Sequence, residues 1–591
     1  MITKSTPSPR SRTSERLSIG VLLLFTGVFI TFTVSSYRQE SATVDEPHHL
    51  LAGYAALKLG DYRVDPEHPP LLRMWAALPM LAMRHVTLDT NSVNWLPKRP
   101  DLFIHEFVYE KNDADRLLYT ARFMTVLLGL LLGIVLFQWA KKLYGFATAV
   151  LVLALYTTEP SLLAHAGLVT TDFGVACFMF SALYFLWRLS QELTWKNLIL
   201  FAVFFALAQI SKFSALALWP MLFVLLFARV AGYQPWSCSV GGSRTLGSRT
   251  GKVLAAASIV TAACLVSFAA VWAVYGFRYS PAPAGTGVER VLAVPHVLER
   301  IPHLAAVLNW IDRHHLLPNA CTQGFLLGRG LAQERPAYLM GKISNVGWWY
   351  YFPVAFLVKT PAALLLLFFG GLMLMIARRD AWTETDVFLL VPVVVYVLIA
   401  MMARNLNIGV RHILPIYPFV LLIAGGAVAW LWESGRKTLR AGLLALCLFQ
   451  VEETAFAYPN YIAFFNQFVG GPQNGYKYLA DSNLDWGQDL KPLKKWMDKN
   501  GVSFVNLGYF GSADPVYYGI HCSYLPPRTI FFEGRDDRLQ LPGYVAVSVQ
   551  YLLGVSEHLP NTSPYKKLLD SEPVAVIGQS IRVYWVERPW W

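Results

Sequence analysis

Long apolar runs alternate with shorter polar segments along most of the chain. A membrane-spanning helix needs about 20 mostly apolar residues, and eleven runs meet this requirement. The first run follows basic residues but lacks a convincing small-residue cleavage site, so it is expected to be a retained helix rather than a signal peptide. The pattern therefore predicts eleven spanning helices, which begin near Leu17, Leu117, Phe146, Phe173, Asn197, Ser214, Val253, Phe352, Val387, His412 and Ala441.

Basic residues separate the two sides of this predicted helix series. If the N-terminus is cytoplasmic, the segments on the cytoplasmic side hold 17 Lys and Arg but only six Asp and Glu. An excess of Lys and Arg in short cytoplasmic segments is the general rule for membrane proteins. We therefore expect a cytoplasmic N-terminus and, because the number of spans is odd, a C-terminus on the outer side.

Three long segments are predicted to project from the outer face, at about residues 37–116, 275–350 and 457–591. Segments of this length in compact proteins usually carry function. The last one contains a helix-like stretch at 485–500, the strand-like stretches VSFVNLGYF and GYVAVSVQY, and the closing hairpin PVAVIGQSIRVYWVE. This succession predicts a small α/β domain.

The predicted fold is a polytopic α-helical membrane protein with a C-terminal extracytoplasmic α/β domain. Residues 1–16 form a cytoplasmic tail, residues 17–456 the transmembrane module, and residues 457–591 the outer domain. The Gly- and Ser-rich stretch 232–252 is expected to be a flexible cytoplasmic linker.

Composition agrees with a chain that lies mostly in lipid. Only 15% of the 591 residues are charged, 55% are hydrophobic, and the mean hydropathy is +0.40, whereas soluble domains are about 25% charged. The net charge of +12 could indicate nucleic-acid binding. However, the basic residues form short clusters between apolar runs, so we expect no nucleic-acid partner. The six cysteines form no CxxC pair, which argues against a zinc or redox site.

Carboxylates occupy two places where the membrane pattern does not favour them. Asp45 and Glu46 follow the first apolar run directly, and Asp172 stands at the head of the fourth. An ionisable residue at the head of an apolar helix is costly unless it lines a wet cavity or has a partner. These residues are therefore candidates for catalysis. The alternative is that they only cap helices, because carboxylates favour helix N-termini.

Three basic residues in short outer loops run against the charge rule: Lys212, Arg404 and Arg411. They could pair with the acidic residues or bind a phosphate at the depth of lipid headgroups. The alternative for each is simple snorkelling towards headgroups. Together, the carboxylates and cations suit a reaction on a lipid with a phosphate leaving group. Transport fits less well, because no span carries a charge near its centre.

Several short motifs occur in an order that resembles a known family. They are the Asp45–Glu46 pair, the Glu67-His68-Pro69-Pro70-Leu71 segment, the Thr171–Asp172 head and the run RHILPIYP from Arg411. In this order they resemble the GT-C superfamily of membrane glycosyltransferases. The most similar group is the bacterial branch of the protein O-mannosyltransferase and aminoarabinose transferase family. The resemblance covers about residues 17–456.

The resemblance implies roles for individual residues. Asp45 takes the place of the family's catalytic carboxylate, Glu46 stands beside it, and Asp172 matches the second-loop acid. Where this chain has Glu67-His68-Pro69, some relatives have Glu-Lys-Pro. In those relatives the Lys contacts the donor phosphate, and His68 takes its place here. Phosphate binding is therefore expected to involve Lys212, Arg404 and Arg411, with His68 as a weaker contributor.

A metal site is a further implication of the resemblance. Some relatives bind a metal at the equivalent of Glu67 together with a histidine from the loop before helix 8. The histidines of that loop in this chain are His296, His303, His314 and His315. One carboxylate and one imidazole would be an incomplete site. No cofactor is expected to be required, and a divalent metal stays an open alternative.

The implied function is that of a glycosyltransferase in the bacterial inner membrane. It would transfer a sugar from a polyprenyl-phosphate donor to a hydroxyl of a protein, lipid or cell-wall glycan, on the outer face and with inversion. Its partners would be the lipid-linked donor, that acceptor and the surrounding membrane lipid. The alternative is a non-enzymatic polyprenyl-phosphate carrier or transporter, in which the same charges bind the lipid without cleaving it.

Overall fold

The computed structural model describes residues 9–95, 100–283, 299, 301–379, 382–527, 532, 535, 537–555 and 564–590. Helices dominate this part of the chain. They are α1 (Pro9–Tyr37), α2 (Glu46–Leu59), α3 (Leu71–Ala77), α4 (Pro100–His105), α5 (Ala114–Thr157), α6 (Pro160–Ala166), α7 (Thr171–Gln191), α8 (Trp195–Gln209), α9 (Leu218–Ala231), α10 (Arg249–Val274), α11 (Pro302–Arg313), α12 (Asn319–Leu331), α13 (Tyr351–Lys359), α14 (Ala362–Ala377), α15 (Glu384–Met402), α16 (Tyr417–Glu433), α17 (Lys437–Ala457), α18 (Leu490–Lys499), α19 (Val549–Leu552) and α20 (Lys566–Leu569). The 3₁₀ turns Phe213–Ala217 and Val410–Ile416 lead into α9 and α16.

Seven helices within the described residues are long and apolar enough to cross a membrane: α1, α5, α7, α9, α10, α15, and α16 with its leading turn. The pair α13 and α14, bent by 118°, makes an eighth. Helix α5 contains two of the predicted runs, those that begin near Leu117 and Phe146. They meet at Gly145, where a φ of 82° breaks the helix. The predicted runs near Asn197 and Ala441 form helices α8 and α17, which are not among these eight candidate spans. The polytopic helical class is thus confirmed.

The charged ends of the helices meet at two opposite ends of the bundle. Arg229 and Glu384, both predicted to be cytoplasmic, pair at 3.3 Å. Lys141, also predicted to be cytoplasmic, donates at 2.9 Å to Ser18, which lies at the predicted start of the first span. We call this the basic end. Helix α7 runs from there to Asp172, a rise of about 30 Å for its 21 residues. The opposite end, which we call the site end, carries the acidic candidates.

The stretch expected to be a flexible linker is ordered, so that prediction is wrong. Strand β1 (Glu192–Leu193) pairs with β2 (Trp236–Cys238), which forms a hairpin with β3 (Arg244–Leu246). The indole of Trp236 is buried, donates to the carbonyl of Leu189 at 2.7 Å and lies under the guanidinium of Arg229. A single large aromatic residue therefore anchors a segment whose small residues alone predict a flexible linker.

After the short hairpin of β4 (Ala337–Leu339) and β5 (Lys342–Ser344), the C-terminal region forms a five-stranded mixed sheet. Its strands are β6 (Val505–Gly508), β7 (Cys522–Tyr524), β8 (Gly543–Ser548), β9 (Ala575–Ile577) and β10 (Ile581–Val586), in the order β7-β6-β8-β10-β9. Strand β6 is parallel to both neighbours, and β10 is antiparallel to β8 and β9. The α/β character is confirmed; β7 was not predicted.

The sheet and the first long loop share one hydrophobic core. Leu50 of α2 and Phe103 of α4 belong to the same buried cluster as Leu493 of α18 and Val583 of β10. Most of the bundle belongs to a second, larger cluster. Because the loop is packed from the side by the C-terminal sheet, the start of α2 is fixed between the two cores.

Candidate functional site

Four charged side chains from separate segments meet at the site end of the bundle. The Nη1 atom of Arg411 lies 2.9 Å from a carboxylate oxygen of Asp45 and 3.4 Å from one of Asp172. The other oxygen of Asp172 lies 2.5 Å from Nζ of Lys212. We call Asp45, Asp172, Lys212 and Arg411 the ion cluster. Its two carboxylates and two cations balance in formal charge.

Asp45 does not act as a helix cap. It stands at the N-cap position of α2, but its side chain accepts no capping hydrogen bond and binds Arg411 instead. Its side chain is 32% exposed, while those of the other three members are 8% exposed or less. Asp45 is thus the member of the cluster that a substrate can reach.

Asp172 joins the two cations. It lies in the first turn of α7, where the N-cap position belongs to Thr170 and the helix dipole favours a negative charge. Its two oxygens bind Lys212 and Arg411. Two cations this close would repel each other without a carboxylate between them, so Asp172 allows both to stay buried.

Lys212 and Arg411 are buried and paired, so neither snorkels to the surface. Each precedes or occupies a 3₁₀ turn at the head of an apolar helix, which directs its side chain towards α7. Arg404 differs from them. It is exposed, and none of the ion pairs between described residues involves it. The structure therefore does not bring Arg404 into the ion cluster.

Glu46 points away from Asp45 into a different network. Its carboxylate binds the guanidinium of Arg122 at 2.6 and 2.8 Å and accepts further bonds from Thr43 and from the backbone of Val169. Both Glu46 and Arg122 are fully buried. The pair therefore ties the loop that holds Asp45 to α5, and the carboxylate lies outside the ion cluster.

The charges around Asp45 keep it ionised. Burial would raise the pKa of Asp45, but the guanidinium of Arg411, assisted by His49, outweighs burial and holds this pKa below its usual range. The carboxylate is therefore in the basic, unprotonated form at neutral pH. At nearby Asp481 burial dominates instead and raises the pKa above its ordinary value.

His68 is partly buried, lies near Lys212 of the ion cluster and is uncharged. Burial, followed by the charge of Lys212, holds the pKa of His68 well below its ordinary value. A neutral imidazole can offer a phosphate only one N–H donor. The part assigned to His68 from the sequence is thus reduced to a single uncharged hydrogen bond.

The candidate metal residues make other contacts in the structure. Glu67 lies 3.7 Å from Arg335, and no group of three or more His, Cys, Asp or Glu within the described residues is arranged to hold a metal ion. His314 packs on Trp310 and His315 on Tyr279. His303 lies in α11, and His296 lies outside the described residues.

Three residues that sequence reasoning missed border the ion cluster. The hydroxyl of Ser482 accepts a hydrogen bond from Nε of Arg411 at 3.1 Å, and the ring of Trp486 lies 4.2 Å from the guanidinium carbon. Arg335 adds positive charge that lowers the pKa of Asp45. The sequence signal for Ser482 and Trp486 is the polar run DSNLDWGQD, most of which is predicted to lie in a helix. That helix begins only at Leu490.

The structure has the arrangement of a multi-pass membrane protein: a bundle of apolar helices carries a cluster of acidic and basic groups at one end, beside a sheet domain. Residues 116–240 match the family model of dolichyl-phosphate-mannose-protein mannosyltransferases. This match confirms, for that segment, the resemblance to the GT-C glycosyltransferases. It supports a glycosyltransferase without specifying the sugar.

Solved structures with a similar chain path have low sequence identity. ArnT from Cupriavidus metallidurans bound to undecaprenyl phosphate is 12% identical, with a TM-score of 0.45 over 95% of this chain and 97% of that one. The oligosaccharyltransferase of Archaeoglobus fulgidus is 12% identical, with a TM-score of 0.45 over 91% and 71%. No curated protein matches the chain. Because both TM-scores lie below 0.5, we base the function on the family match and the site residues.

Proposed function

We propose that the protein is an integral membrane glycosyltransferase that moves a sugar from a polyprenyl-phosphate donor to an acceptor hydroxyl. The observation that carries this proposal is the ion cluster, in which a partly exposed carboxylate lies beside two buried cations. The match to dolichyl-phosphate-mannose-protein mannosyltransferases supports the same chemistry. Protein, lipid and cell-wall glycan are all compatible acceptors.

Asp45 is the general base in this mechanism. It is ionised and partly exposed, so it can accept a hydrogen bond from an incoming hydroxyl. It takes the hydroxyl proton while the acceptor oxygen forms its bond to the anomeric carbon of the sugar. The bond from that carbon to the phosphate oxygen breaks in the same step. A single displacement of this kind inverts the anomeric carbon.

Lys212 and Arg411 stabilise the leaving group. The electrons of the broken bond pass to the phosphate, which departs as polyprenyl phosphate, and cations placed in advance offset the charge that develops there. The hydrogen bonds of Arg411 to described residues use Nε and Nη1, so Nη2 stays available for a phosphate oxygen. Asp172 holds both cations in position for this contact.

We place the ion cluster on the extracytoplasmic face of the bacterial inner membrane. Two observations support this orientation: the excess of 17 basic over six acidic residues in the segments at the other side, and the contacts that such residues make at the basic end. By the positive-inside rule the basic end faces the cytoplasm. The C-terminal sheet domain would then lie outside the cell.

Donor cleavage tests this proposal directly. The purified protein is incubated in vesicles with polyprenyl-phosphate mannose or aminoarabinose, labelled in the sugar, and with host membrane extract as acceptor source. Release of polyprenyl phosphate together with labelled acceptor supports the transferase. If intact donor instead crosses the vesicle bilayer without cleavage, the protein is a non-enzymatic carrier and the transferase proposal is overturned.

A further inference from the structure

The segment of residues 481–489, which we call the bridging segment, belongs to the C-terminal region. It contacts the two parts of the chain that carry Arg411 and Asp45 of the ion cluster. On one side, Ser482 donates to the carbonyl of Ile408 at 2.8 Å, and Asn483 accepts from the backbone of Val410 at 2.8 Å. These contacts fix the turn that carries Arg411. They belong to a region that the sequence assigned to a separate outer domain.

On the other side, the bridging segment fixes residues 41–44, which lead to Asp45. The backbone of Val44 donates to the carbonyl of Trp486 at 3.0 Å, and that of Ser41 donates to the carbonyl of Gln488 at 2.8 Å. The two reactive partners, Asp45 and Arg411, are therefore held by the same nine residues.

The side chains of the bridging segment touch Arg411 itself. Ser482 and Trp486 are 1% and 2% exposed, and both contact the guanidinium. A buried guanidinium is stabilised when its N–H groups have acceptors and its flat face lies on an aromatic ring. With Nε on Ser482 and the face on Trp486, rotation of the guanidinium is restricted and Nη2 keeps a fixed direction.

The backbone of the bridging segment is unusual where it enters the site. Asp481 has a φ of 55°, in the left-handed region that a residue with a side chain seldom adopts. Such strain persists only where the surroundings enforce it, and it is frequent at functional sites. Here it turns Ser482 towards Arg411.

We propose that Ser482 and Trp486 are positioning residues that orient Arg411 for the donor phosphate, so that the C-terminal domain completes the active site. The proposal rests on the proposed function in assigning the phosphate to Arg411. It goes beyond that function in giving the C-terminal domain a part in donor recognition. The expected consequence is a change in donor affinity without loss of folding.

The experiment compares full-length variants in binding of undecaprenyl phosphate and in donor cleavage. We expect Ser482→Ala and Trp486→Leu to weaken undecaprenyl phosphate binding and to raise the donor KM, each about tenfold, which is the lower end for a hydrogen bond to a charged group. Trp486→Phe keeps an aromatic face and should recover most of the affinity. Trp496→Leu, on α18 against Tyr544, is the matched control and should bind as the wild type does.

Wild-type affinity in both Ser482→Ala and Trp486→Leu would overturn the positioning role. If Trp486→Leu does not fold, Ser482→Ala decides by its affinity, because a loss supports the positioning role and wild-type affinity overturns it. Failure of the proposed transferase function gives a different result from failure of the positioning role. A wild-type protein that binds undecaprenyl phosphate but cleaves no donor overturns only the proposed function. A wild type that binds no undecaprenyl phosphate overturns both.

Discussion

The carboxylates of Asp45 and Glu46 belong to adjacent residues, yet they bind different arginines. Asp45 lies 2.9 Å from Arg411 in the ion cluster, whereas Glu46 lies 2.6 Å from Arg122 in a buried network beneath the loop. Asp45 is 32% exposed and Glu46 is fully buried. The pair therefore divides its tasks, with Asp45 facing the substrate and Glu46 holding the loop.

Glu46 should matter for stability more than for chemistry. Removing one partner of a buried ion pair leaves the other charge uncompensated, at a cost of about 3 to 5 kcal/mol. We expect Glu46→Gln to lower the free energy of unfolding by about this amount, measured by denaturation in detergent. Glu110→Gln, in the same loop but with a side chain 58% exposed, is the control and should change little. A stable Glu46→Gln protein without activity would instead assign Glu46 to catalysis.

The three candidate cations should differ in their effect on donor binding. Lys212→Ala and Arg411→Ala each remove a buried cation beside Asp172, so donor affinity should fall about tenfold to a hundredfold. Arg411→Lys should recover only part, since an ammonium lacks the guanidinium fork. Arg404→Ala should have a much smaller effect, because Arg404 is exposed and outside the cluster. An equal loss in all three alanine variants would contradict this ranking.

The pH dependence of turnover should report on the contact between Asp45 and Arg411. A general base works only when ionised, so the rate falls as the pH drops through its pKa. Arg411 holds the pKa of Asp45 below its usual range against the effect of burial. Arg411→Ala removes the largest of the charges that oppose burial at Asp45, so the acidic limb of kcat/KM should move to higher pH. Arg411→Lys keeps the positive charge and should shift the acidic limb less. If the limb does not move in Arg411→Ala, the ionisation of Asp45 does not control the rate.

The orientation can be tested with reporter fusions. Fusions after Lys142, Lys252 and Arg440 should report the cytoplasm, and fusions after Glu110 and Gly330 the outer side, as the 17-to-six ratio of basic to acidic residues requires. Any two sites on the wrong side would contradict the orientation.

The ion cluster could be predicted from the sequence because each member violates a rule of membrane composition. Asp172 and Lys212 stand at the heads of apolar helices where charges are costly, and Arg411 opposes the charge bias of its side. These are local signals, and they persist whatever the tertiary structure. The spanning helices could also be predicted from local signals, since the membrane sets their length and apolar character.

The remaining parts of the site depend on long-range packing. Ser482 and Trp486 lie about seventy residues from Arg411 in the chain, and the residues around them follow a pattern that predicts a helix. Gly487, at a φ of 85°, keeps that stretch out of a helix. The different orientations of Asp45 and Glu46 were equally hidden, because Arg122 is 76 residues away from Glu46.

The most direct test of the central claim is turnover by Asp45→Asn in purified, folded protein, with binding of undecaprenyl phosphate measured in parallel. Asparagine keeps the size and hydrogen-bonding shape of the side chain but cannot accept the proton, and general-base contributions are about 10² to 10⁴-fold. The account predicts a loss of turnover of this size with donor binding retained. Near-normal turnover would contradict it and would remove Asp45 from the mechanism.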